Sequence, residues 1–125
     1  MEIQVLDIQE NIVQVRTAIG CFCGTWCSSP PKVFKNYIVE LDSDEVLTLD
    51  AVELSNLGKP QIECVGQNTY FIGFAEEIKN NLMIFRLQKA IMMLEISPYF
   101  DFSKFIGYYI KIRLREVKIY DTGII

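Results

Sequence analysis

The chain has 125 residues, half of them hydrophobic, and a formal net charge of −4. Such a length predicts a single domain over residues 1–125 that buries roughly two thirds of its unfolded surface without help from a metal or disulfide. The acidic balance argues against bulk binding of nucleic acid or of an anionic membrane. No apolar run approaches the ~20 residues that cross a bilayer. The absence of histidine removes the usual general base, metal ligand and pH switch together.

The opening Met1-Glu2-Ile3-Gln4 has neither the basic nor the apolar stretch of a signal peptide, so a reducing cytoplasm is the expected compartment. Residues 3–6 and 12–17 alternate with a period of two, which predicts strands on either side of a polar turn at Asp7–Asn11. Cys21, Cys23 and Cys27 follow in a C-x-C-x3-C pattern among Gly20, Gly24, Trp26 and Pro30-Pro31, a stiff loop in this reading. If Cys21-Phe22-Cys23 is extended, both thiols share a face with Cα atoms about 6.5–7 Å apart. That suits a soft metal and is marginal for a disulfide. Structural zinc sites pair two C-x2-C knuckles or add histidines. Cys21, Cys23, Cys27 and the distant Cys64 are therefore weak metal candidates, expected to be reduced thiols acting as small hydrophobes. No motif calls for a cofactor.

Tyr37–Leu41 and Val46–Leu49 read as strands around the turn Asp42-Ser43-Asp44. From Glu40 to Glu53 the chain carries Glu40, Asp42, Asp44, Glu45, Asp50 and Glu53 without a base. The run lacks the glycine and distal glutamate of an EF-hand loop. It reads as an acidic face that could draw in a basic protein.

Turns at Asn56–Pro60 and Gly66–Asn68 precede an aromatic strand, Thr69–Ala75. Glu76 and Glu77 are neighbours and face opposite ways on a strand, so they are not an acid/base pair. Residues 82–96 admit two readings. Met83, Leu87, Ala90, Ile91 and Leu94 fit a helical face, but no N-cap precedes them, and two strands split near Lys89 are preferred.

Tyr99, Phe100, Phe102, Phe105, Tyr108 and Tyr109 lead into the clearest strand, Tyr109–Arg115. Its apolar face slips by one residue at Val117 and Ile119, which predicts a β-bulge near Arg115-Glu116. Tyr108, Tyr109, Lys111, Arg113 and Arg115 form the alternative, a face on which single-stranded nucleic acid could stack and track. The final Asp121-Thr122-Gly123 matches the triplet of aspartic proteases. That chemistry needs two carboxylates sharing a proton and a cleft beyond the triplet, so a terminal turn is the better reading.

A weak internal repeat relates residues 1–50 to 69–120. Displaced by 70 residues, Ile8, Asn11 and Arg16 fall on Ile78, Asn81 and Arg86; displaced by 72, Lys32, Tyr37 and Ile38 fall on Lys104, Tyr109 and Ile110. The expected fold is all-β, a small barrel or sandwich of about 8–10 short antiparallel strands, with two similar halves as one form of it. The expected role is non-enzymatic protein binding, of which an immunity-type inhibitor of a basic effector is one form. An oligonucleotide-binding barrel is the runner-up and a cysteine metal or redox module the third. A protein partner is expected before nucleic acid, and no membrane is expected.

Overall fold

The computed structural model describes residues 1–124 and is all-β. Alternating residues drive the first meander: Ile3, Val5, Val13, Val15 and Phe22 turn inward from β1 (Glu2–Gln9), β2 (Ile12–Thr17) and β3 (Gly20–Trp26) and are buried. β4 (Asn36–Asp42) returns antiparallel to β1. The last strand, β11 (Lys118–Asp121), lies between β4 and β3 and closes a five-stranded barrel.

A second sheet is built from β5 (Val52–Leu54), β6 (Gln61–Val65), β7 (Asn68–Lys79), β8 (Leu82–Leu87), β9 (Ala90–Glu95) and β10 (Tyr109–Leu114). Its order is β5-β10-β7-β8-β9, with β6 paired to β7. Residues 82–96 are strands, as the missing N-cap suggested. Met83, Phe85 and Leu87 on β8 and Met92 and Leu94 on β9 point into the core with strand alternation. Asn80 and Asn81 both take positive φ in the β7–β8 turn, matching a type I′ hairpin. The buried side chains of both sheets form one continuous core. Among the described residues no helix is long and apolar enough to cross a membrane.

The two sheets repeat one register. Gln4 pairs with Arg16 and Val5 with Val15, then the ladder slips before Asp7–Gln14; seventy residues on, Phe74 pairs with Arg86, Ala75 with Phe85, and the same slip precedes Glu77–Ile84. β2–β3 and β8–β9 correspond pair for pair. The fourth strands correspond at a displacement one residue longer than the sequence spacing suggested. Asn36 faces Gln4 as Tyr109 faces Phe74, so Tyr37 matches buried Ile110. Phe34, unusual for a bulky residue at φ 66°, occupies the place of Gly107 at φ 90°, and both donate to equivalent carbonyls, of Val5 and Ala75.

Each half supplies the closing segment of the other. β11 follows the second half and runs parallel to β3 of the first, pairing Ile119 with Trp26. The segment after β4 crosses the other way, and Leu47 forms a parallel bridge with Ile96 beyond β9. The amides of Cys27 and Ser97 donate to Ile119 and Leu47 in matching bonds of 2.9 Å.

Several local expectations differ. The described residues form eleven strands, and β3–β11 is a parallel pairing. The cysteine segment expected as a stiff loop is β3, because Phe22 and Trp26 bury their rings on its inner face. Val46–Leu49 is no strand: it holds one bridge and leads into a 3-10 turn, Leu49–Ala51, before β5. β6 was not anticipated, since only Ile62 of its side chains is buried. Arg115–Val117 is not a bulge within one strand but the link by which the chain leaves the second sheet for the first.

Candidate functional site

The acidic run does not form one face. Asp44 pairs with Lys118, and Asp50 with Arg113 at 3.1 Å. One Glu45 carboxylate oxygen accepts the amides of Arg115 and Glu116 at 2.8 and 3.0 Å, fastening the link between β10 and β11. Glu53 sits opposite Lys111 across β5 and β10. Glu40 and Asp42, at the exposed end of β4, are in no ion pair among the described residues.

Two bases of the basic strand have acidic partners: Arg113 meets Asp50 of this run and Lys111 meets Glu63 of β6. Lys111 lies 4.9 Å from the centre of the Tyr70 ring and 3.6 Å from Glu63. Tyr109 forms a T-shaped pair with Phe74, ring centres 5.5 Å apart, and is half-buried. Tyr108 is exposed, and Arg115 makes no ion pair among the described residues. The two segments that sequence set apart thus meet at Asp50–Arg113, and Glu53 lies opposite Lys111 in the second sheet.

The four cysteines are free and exposed. Cys21 and Cys23 do share the outer face of β3, opposite Arg16 and Gln14. Cys23 and Cys64 line one small cleft, about 240 Å³, together with the Gly66–Asn68 turn and Arg115–Val117. Burial, then the neighbouring Cys64 and Asp7, push the Cys23 thiol pKa up. Cys27 lies apart, beside Tyr120. Among the described residues no three cysteine or carboxylate side chains gather as metal ligands would. In the closing turn Asp121 accepts the Gly123 amide at 3.0 Å.

A broad concavity lies where β4 approaches β9. It measures about 730 Å³ and is lined by Met1, Val39–Asp42, Lys89–Met93 and Tyr120. On β9 the inner residues Met92 and Leu94 are fully buried, yet the outward Ile91 and Met93 are also apolar and are 45% and 58% exposed. Tyr120 lies across from Glu40 on β11 and adds an aromatic edge. The groove therefore combines apolar side chains, a tyrosine and the two unpaired acids Glu40 and Asp42, with Lys89 at one end.

Known protein families, characterised proteins and solved structures offer no match to the chain. The groove must be read from its own chemistry. Of its residues only Glu40 and Asp42 stood out in the sequence. Ile91, Met93 and Tyr120 did not, although a strand apolar on both faces, as Ala90–Ile96 is, carries a readable signal when it ends a sheet.

Proposed function

We propose that this chain is a non-enzymatic protein-binding domain whose contact face is the groove between β4 and β9. The observation that carries this reading is the coincidence of unpaired acid with exposed apolar surface. Asp44 and Asp50 are in ion pairs and Glu45 holds the amides of Arg115 and Glu116, whereas Glu40 and Asp42 are in no ion pair among the described residues, Asp42 accepting only the Ser43 amide, and both line the groove with Ile91, Met93 and Tyr120. Methionine and tyrosine are favoured in the cores of interfaces, and unpaired rim acids speed encounter with a basic partner. A basic effector held in check by this domain would suit that combination. The nucleic-acid reading has less to support it, because Lys111 and Arg113 already face Glu63 and Asp50.

A photo-crosslinking residue in place of Tyr120 tests the reading in native lysate. The expected result is one predominant crosslinked protein, lost with Glu40→Lys/Asp42→Lys and with Ile91→Glu. Association of that protein should slow in the charge-reversed variant and lose much of its salt dependence, with dissociation less changed. Equal capture by wild type and both variants would reject the groove as the contact face.

A further inference from the structure

The correspondence between the halves shows what kind of object the groove is shaped to receive. In the second half, β7 extends beyond the point matching Met1. Thr69 pairs with Leu114 and Phe71 with Ile112, and the chain then turns at Gly66–Gln67 into β6. In the first half Met1 matches Phe71 and exchanges backbone bonds with Val39 at 3.0 and 2.8 Å. Among the described residues nothing occupies the place beside β4 and β9 that Val65–Thr69 and β6 occupy beside β10 and β3. The cleft beside β3 and β6 measures about 240 Å³, and the groove beside β4 and β9 about 730 Å³.

The backbone at that place is ready to pair. The Ile96 amide donates toward β8, to Asn81, whereas the Ser97 amide donates the other way, to Leu47. Strand alternation then directs the N–H and C=O groups of Ile91 and Met93 away from β8, along the edge where only Leu47 is bridged. Val39 uses its amide and carbonyl toward Met1, so Leu41, two residues on, directs its own to the same side of β4. On the matching edge of β3 the chain already demonstrates one such contact: the Ile62 amide of β6 donates to the Ile19 carbonyl at 2.9 Å.

Resting on the protein-binding reading above, we infer that the groove takes an extended strand of a partner protein, joined by backbone hydrogen bonds to the free edge of β9 and to Leu41 of β4. It is strand addition at an open sheet edge, in which the main chain gives affinity and alternate side chains give specificity. The strand places apolar residues on one face against Ile91, Met93 and Tyr120. It carries lysine or arginine where it passes Glu40 and Asp42, the charge complement of the two unpaired acids.

The probe is a displayed library of random 12-residue peptides, selected on the folded full chain, with the best binder then synthesised. Enriched peptides should be free of internal proline and should combine alternating apolar residues with lysine or arginine. On binding, the amides of Ile91 and Met93 should exchange with solvent at least tenfold more slowly in wild-type protein. Met93→Pro removes one outward donor without touching the β8 ladder, and should weaken the peptide at least tenfold while near-ultraviolet circular dichroism stays unchanged. Ile91→Glu and Glu40→Lys/Asp42→Lys should each weaken it as well. Binding that is lost in those last variants, with no protection of the two amides, would overturn strand addition and leave the groove as a side-chain docking face. Binding indifferent to all the variants would overturn both. Concentration-dependent dimerisation of the chain abolished by Met93→Pro would assign the edge to a second copy and overturn the partner strand.

Discussion

Gly20→Ala probes the seam on which the comparison of the two halves depends. Gly20 has φ 141°, and a Cβ there would stand 1.9 Å from the Ile62 carbonyl oxygen and 2.8 Å from its carbon. The backbone itself must yield, and β6 must move off β3 by more than an ångström. Breaking the bond between the Ile62 amide and the Ile19 carbonyl costs about 1 kcal/mol net. Partly exposing Ile62, now 3% exposed, costs about 1–2 kcal/mol more. Left-handed backbone strain adds about 1–2 kcal/mol. The expected loss is therefore about 3–5 kcal/mol by chemical denaturation, together with faster hydrogen exchange at the Ile62 amide. Gly66→Ala is the control. It has φ 62° and nothing within 4 Å of the added Cβ, so only strain of about 1 kcal/mol applies. Equal losses in the two variants would show that β6 is not held against β3.

Three further outcomes follow from titrating groups. The Thr48 hydroxyl and then the Arg113 guanidinium hold the Asp50 carboxyl below its ordinary pKa; its contribution is present above the unfolded carboxyl pKa and is lost as pH falls through the folded one, so Asp50→Asn should flatten the acid limb of stability below about pH 4 in thermal melts. Burial, Cys64 and Asp7 raise the Cys23 pKa; that contribution is present below the unfolded thiol pKa and is lost as pH rises through the folded one, so Cys23→Ser should flatten the alkaline limb above about pH 8.5. Iodoacetamide at pH 8, read by peptide mass spectrometry, should accordingly label Cys23 more slowly than it labels an unstructured peptide thiol.

Much of the fold was legible because its inner faces alternate. Val13 and Val15, Met83 and Phe85, and Ile110 and Ile112 are fully buried pairs, each two residues apart, a spacing that points to strands. Elements that bury little were not legible. β6 contributes one buried residue, and β5 contributes Val52 alone. The acidic run was read as a face because sequence places its members together. Their partners Lys118, Arg113 and the amides of Arg115 and Glu116 lie far along the chain and arrive only through the crossover that places β11 in the barrel and β5 in the second sheet. Proximity in sequence overstated the charge that remains free.

The groove at β9 is the surface left unanswered, because the crossover segment reaches β9 only at the Leu47–Ile96 bridge. A sheet edge with apolar side chains on its outer face invites unwanted pairing, and proteins usually blunt such edges with charge, proline or a covering element. The edge of β3 is covered by β6, and Glu63 on that hairpin meets Lys111. The edge of β9 carries Ile91 and Met93 outward, with Lys89 only at its start and Glu95 only at its end, where Leu47 already pairs. Its neighbour β4 turns Glu40 and Asp42 toward the same opening. Acids beside an apolar edge repel a second acidic copy of this chain, whose net charge is −4, and attract a basic strand. The edge is thus defended against self-association by charge while its backbone stays available, which is the combination a specific strand-accepting site requires.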